Sequence, residues 1–304
     1  MLKTKLLDEL MENIENNPPD TPELLDIVLD SGSNNGGYLV GCLLYLKELE
    51  KRKYIKIGKF SGSSIGSICA FFYLSNHLEM YDDIYSNTRN EIINNLSLKK
   101  SALMLKTFID KQKEDFYIFF NDKLYISYYD ITKKSDIVVH KYKSNKDLYL
   151  KLRYSTFLPL FMDGGLCMNN KTDAGLPHIF YEDNKVLFLN LTTARKFTSQ
   201  LNISTKNSMY KILHGIIDIH QFYTTGNKTE LCSYVNNWTV YETLIFRIRM
   251  LITYIVKLSL SYLIELKNHY DTHNEEYKGK IFEYIASIIR NYIPSSVRII
   301  VQMT

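Results

Sequence analysis

A chain of 304 residues with 45% hydrophobic content can bury one sizeable core, and the lack of a low-complexity linker argues for one large unit. Its 37 basic and 33 acidic residues leave a net charge of only +4, spread along the chain, which speaks against a nucleic-acid binder and leaves room for weak attraction to anionic lipid surfaces. The four cysteines, Cys42, Cys69, Cys167 and Cys232, lie far apart with no Cys-x-x-Cys pair, and Cys42 and Cys69 are expected as free core thiols in a reducing compartment.

Residues 1–16 have the mixed-charge pattern of an amphipathic helix, with no uninterrupted apolar stretch, so no secretory signal is expected. The prolines at 18, 19 and 22 end it. Leu24 to Leu29 reads as a buried strand, followed by the glycine-bearing turn 30–37 and a helix with Leu39, Val40, Leu43, Leu44, Leu46 and Leu49 as its apolar positions. Residues 55–73 repeat this order of strand, sharp turn and helix. The alternation predicts an α/β fold with parallel strands, helices on both faces, and chemistry at the strands' carboxyl ends.

Residues 77–115 read as helical. A strand-rich block follows at Phe116 to Phe120, Leu124 to Tyr129 and Asp136 to Tyr142, then a helix at Lys146 to Arg153 and a strand at Lys185 to Leu191. From about residue 205 the pattern is helical and most apolar between Leu244 and Leu266. There Arg247, Arg249, Lys257 and Glu265 recur at intervals too short for a membrane span, which leaves a packed helix or an interfacial one. The expected division is 1–22 as helix and Pro-rich connection, 23–204 as the core, and 205–304 as a helical region packed on it.

Gly62-Ser63-Ser64-Ile65-Gly66 fits the G-x-S-x-G nucleophile elbow, in which a serine sits on a strained strand-to-helix turn. A serine hydroxyl needs a base to take its proton and donors to hold the oxyanion that forms. The turn at Gly32 and Ser33 lacks the Lys-Ser/Thr ending of a P-loop and does not match G-x-G-x-x-G, and its free amides at a helix start suit an oxyanion. None of the seven histidines lies in a glycine-framed loop of its own. By chain order, a Ser-His-Asp esterase would draw on His214 or His220. Two aspartates, Asp163 before Gly164-Gly165 and Asp173 before Ala174-Gly175, precede small residues. Ten of the 13 glycines fall at positions 32, 36, 37, 41, 58, 62, 66, 164, 165 and 175, which suggests that these loops meet at one site.

Over roughly residues 26–192 these blocks resemble the patatin-like phospholipases. Asp30-Ser31-Gly32-Ser33-Asn34-Asn35-Gly36-Gly37 is similar to the family's glycine-rich oxyanion loop, Gly62 to Gly66 to its elbow, and Ser155 to Pro159 with the aspartate loop to its Asp-Gly-Gly/Ala block. The resemblance implies a patatin-like sheet and a lipid acyl hydrolase of the phospholipase A or lysophospholipase type, active in lipid degradation. Its Ser-Asp dyad would use no metal or organic cofactor. Ser64 would be the nucleophile, Gly32, Ser33, Asn34 and Ile65 the oxyanion donors, and Asp163 the favoured base, with Asp173 the alternative. The implied partners are phospholipid or lysophospholipid substrates and peripheral membrane contact, in a cytoplasmic or membrane-associated setting without a transmembrane segment. Ser31 and Ser33 replace glycines of the family loop, and Asn35 stands where Lys or Arg is common. A binding protein that has lost the reaction is the alternative these departures raise.

Overall fold

The two strand-turn-helix segments fold as adjacent parallel strands in a computed structural model of the protein, which describes residues 2–15, 21–95, 97–159, 165–181, 184–192 and 206–273. In chain order, α1 (Leu2–Glu15) precedes β1 (Glu23–Leu29), α2 (Gly36–Lys51), β2 (Ile55–Ser63) and α3 (Ile65–Leu74). Then come α4 (Met80–Asn95), α5 (Lys99–Asp110), β3 (Leu124–Asp130), β4 (Ser135–Val139) and α6 (Asn145–Ser155). The chain continues through β5 (Lys171–Asp173), β6 (Lys185–Leu189), α7 (Lys206–Thr225), β7 (Cys232–Tyr234) and α8 (Val240–His273).

The seven-stranded sheet runs β4-β3-β2-β1-β6-β7, with β5 also paired to β3. The four central strands are parallel, whereas β4, β5 and β7 are antiparallel to their neighbours. Period-two alternation sorts the side chains. Ile27, Leu29, Leu187 and Leu189 join the core that α1 to α7 build on one face. Val28, Val186 and Phe188 face the other side and pack with Leu176, Ile179, Phe180 and Phe246 of α8. With both faces covered, β1 and β6 are mostly apolar, as Ile27 to Leu29 and Val186 to Leu189 show.

One helix crossing is unusually close. A Cβ on Gly41 of α2 would lie 2.0 Å from the Ile212 carbonyl oxygen, and one on Gly215 of α7 would lie 2.2 Å from that of Tyr38. Two facing glycines therefore let the backbones touch, and the Cys42 thiol donates across the seam to the Gly215 carbonyl at 3.3 Å. Thr239 and Glu242 open α8 with a reciprocal capping box. Lys228 and that cap hold the Glu242 carboxyl down at about 2.

The α/β class, the parallel alternation and the helical C-terminal region agree with the sequence reading. Phe116 to Phe120, read as a strand, is instead a 3-10 turn. Its rings Phe116 and Phe120 pack on Phe71, so burial of alternating aromatics is met by a tight turn without a ladder. The short strands β5 and β7, three residues each, carry too little pattern to be read in advance.

Candidate active site

β2 ends at Ser63 and the chain turns into α3 through Ser64, whose φ of 53° and ψ of −127° lie in a region that L-residues rarely adopt. Gly62 and Gly66 make room for this turn. A Cβ on Gly62 would meet the Gly66 carbonyl carbon at 2.6 Å, and one on Gly66 would meet the Leu29 carbonyl oxygen at 2.5 Å. The strained turn is tied down at both peptide groups. The Ser64 amide donates to the Ser155 hydroxyl at 3.0 Å, and the Ser67 hydroxyl donates to the Ser64 carbonyl at 2.7 Å.

The first glycine-rich loop lies alongside. Residues 33–35 form one 3-10 turn, closed by the Asn35 amide donating to the Gly32 carbonyl at 2.8 Å. Ser33 takes φ 45°, the backbone conformation that a glycine would supply most cheaply. Gly32 is packed so closely that a Cβ would lie 2.7 Å from the Leu191 side chain. Lys211, fully buried on α7, reaches this loop and donates to the Asn34 carbonyl at 3.0 Å.

Strand pairing explains how Asp173 comes to the elbow. Along one edge of β3, Ser127 is opposite Ser63, and the next residue, Tyr128, is opposite Asp173. β4 occupies the other edge, so β5 takes over the β3 edge where β2 leaves it for the elbow. The Ser64 side chain lies beside the Asp173 carboxylate, whose charged form it favours. Asp173 Oδ1 accepts from the Ser63 hydroxyl at 3.1 Å and from the Gly175 amide at 2.8 Å. Burial pushes this carboxyl up to about 6, against the lowering pull of these hydrogen bonds and of the Lys257 charge.

The two loops are also bonded to each other, because the Ser31 hydroxyl donates to the Gly175 carbonyl at 2.5 Å. Beside them opens a cleft of about 740 Å³, continuous with solvent. Ser33, Asn34, Ser64 and Ile65 line it; Ile68, Ile84, Leu98, Ala102, Leu105 and Leu158 give it apolar walls. Arg153 lines it too, with its Nε buried and lacking a hydrogen-bond partner.

The residues expected at the elbow and the first loop are thus brought together, with Gly32, Gly62 and Gly66 behind them. Asp163 and Gly164 lie outside the described residues, whereas Asp173 accepts from Ser63 and lies beside Ser64. His220 bonds to Tyr45 at 2.9 Å and His214 faces Glu230 at 3.8 Å. Among the described residues, His214, Asp218 and Glu230 bring ligand-type atoms within 4.8 Å of one another, but Asp218 is already engaged by the Thr229 hydroxyl and the Leu231 amide. Sequence reasoning assigned no role to Ser155, Lys211 or Lys257. The signal for Lys257 was its place as one of four charges within the most apolar stretch of the chain; Lys211 gave none.

No family profile matches the chain. Over 158 residues it is 27% identical to an omega-hydroxyceramide transacylase of Mus musculus, a match that covers 49% of this chain and 26% of the relative. The chain therefore spans about a quarter of that relative's length.

Proposed function

We propose that the protein is a lipid acyl hydrolase of the patatin-like phospholipase type, acting through a Ser64–Asp173 dyad and an acyl-enzyme. The observation that carries this reading is the buried carboxylate of Asp173, which is bonded to Ser63 and lies beside Ser64 at a strained elbow. The name of the distant relative supports acyl transfer on a lipid. The cleft beside Ser64 has the apolar lining that suits an acyl chain.

In the reaction, ionised Asp173 accepts the Ser64 proton as Oγ attacks the ester carbonyl. Amides of the 32–34 loop and of Ile65 hold the tetrahedral oxyanion. Collapse breaks the ester bond, and the departing alcohol leaves with the proton from Asp173. Water, deprotonated by the same carboxylate, then attacks the acyl-enzyme and releases the fatty acid. An alcohol in place of the water would complete a transacylation by the same steps. The departures from the family loop are accommodated: Ser31 bonds to Gly175, Ser33 adopts the glycine-like φ, and Lys211 brings a cation to the loop that Asn35 leaves uncharged. Arg153 offers an unused donor that a lipid phosphate could satisfy.

Contact with a lipid surface belongs to the same reading. Among the exposed positions of α8 from 244 to 263, Arg247 is the one charged residue; Leu244, Ile248, Leu251, Ile252, Ile255 and Leu263 are exposed apolar neighbours. An apolar face with a basic charge and no acidic one suits an anionic lipid interface. Within the described residues no helix is long and apolar enough to cross a membrane.

The test is covalent labelling with a fluorophosphonate, mapped by mass spectrometry, together with fatty-acid release from phosphatidylglycerol vesicles. Labelling at Ser64 and release that Ser64→Ala abolishes are expected. Folded wild-type protein that takes no label would favour a binding protein without catalysis.

A further inference from the structure

The inner face of α8 carries a row of residues at helical spacing, Phe246, Arg249, Thr253, Lys257, Ser261 and Ile264, of which several touch the two loops of the site. Arg249 forms a bidentate pair with buried Asp30 at 2.7 and 2.9 Å, and Asp30 also accepts the Ser31 and Leu191 amides. Thr253 abuts Gly175, 3.0 Å from where a Cβ there would lie. Two turns beyond Arg249, Lys257 is buried and donates to the Ala174 carbonyl at 3.0 Å and to Asp136 of β4 at 2.5 Å. Its ammonium also stands 5.1 Å from the Tyr129 ring centroid.

A lysine is not buried in an apolar helix without cost, since burial of its charge must be compensated by partners. Here one partner is the half-exposed carboxylate of Asp136, and the other is the peptide carbonyl directly after the dyad aspartate. We propose that Lys257 is a positioning residue of the catalytic site: it fixes the 173–175 loop against the elbow through the Ala174 carbonyl and supplies the positive charge that Asp173 faces. This rests on the dyad reading above.

The other groups around Asp173 are accounted for. Ser63 donates from the elbow, where Ser64 lies beside the carboxylate, and Gly175 donates from its own loop. The charged pairs nearby are Lys171 with Asp130 on the β5 side and Arg249 with Asp30 on the first-loop side. Lys257 is the charged group whose field lowers the Asp173 carboxyl, and its ammonium is paired with Asp136. Two single changes therefore act in opposite directions. Lys257→Gln keeps a donor for the Ala174 carbonyl but removes the charge. Asp136→Asn, at a half-exposed site, leaves the Lys257 charge uncompensated.

The experiment measures the rate of fluorophosphonate labelling of Ser64 against pH in full-length protein, with thermal midpoints as the control for folding. The acid limb is expected to move up by roughly half to one pH unit in Lys257→Gln and down by a few tenths in Asp136→Asn, with Lys257→Arg near wild type. A merely structural role would slow labelling in both variants without moving their limbs apart. Should Lys257→Gln fail to fold, the Asp136→Asn shift decides alone. Limbs that coincide with wild type overturn the inference while leaving the dyad standing; a wild type that takes no label removes the dyad itself.

Discussion

Ser63 donates a 3.1 Å hydrogen bond to Asp173 Oδ1, and the two residues occupy successive positions along one edge of β3. The strand edge thus acts as a ruler: where β2 turns away at the elbow, β5 enters in its place. The proposed dyad residues are therefore placed by backbone pairing, which is stiffer than two loops meeting across solvent.

Asp173→Asn should lower kcat by roughly 10²–10⁴-fold, the range of a lost general base, with the fold intact. Asp163→Asn should stay near wild type. Release of fatty acid from vesicles by the two variants decides, and the reverse ranking would return the base to Asp163.

Activity should rise with pH through about 6, where Asp173 ionises. Stability carries the opposite sign. A folded-state pKa above the unfolded value means that the native chain holds its proton longer, so stability falls as pH climbs from about 4 to about 6 and then levels. Asp173→Asn removes that slope and should gain on the order of 1–3 kcal/mol at pH 8 relative to wild type, read from denaturant midpoints across pH.

Ser155→Ala deletes the acceptor for the Ser64 amide in a fully buried position. An orphaned buried amide costs about 1–3 kcal/mol. Because that amide belongs to the strained elbow, labelling of Ser64 should slow more than labelling in a surface serine control such as Ser259→Ala.

Gly215→Ala would force a Cβ into the Tyr38 carbonyl and separate α7 from α2. The expected loss is about 1–3 kcal/mol or more. Since α7 carries Lys211, activity should fall beyond what the stability loss predicts, measured well below the new unfolding midpoint.

Leu251→Glu with Ile255→Glu places acids on the exposed face of α8, away from Arg249 and Lys257. Flotation with phosphatidylglycerol vesicles should be lost while labelling of Ser64 in solution is kept. Unchanged flotation, with a shift from dimer to monomer in sedimentation, would assign the face to a second copy instead.

The sequence by itself settled what depends on local patterns. Leu24 to Leu29 is apolar enough to be a buried strand, and Gly62 and Gly66 frame Ser64 at the centre of a sharp strand-to-helix turn. Helical spacing also marked the long C-terminal helix. Choosing between Asp163 and Asp173 was beyond it, because motif resemblance favours the Asp-Gly-Gly run whereas hydrogen bonding depends on which strand claims the free edge of β3. Nor could it show that Lys211 and Lys257, some 150 to 190 residues from the elbow in sequence, end at the carbonyls of Asn34 and Ala174. Such contacts are decided by how α7 and α8 cross the sheet, through a glycine seam and a polar row whose partners exist only once the chain has folded.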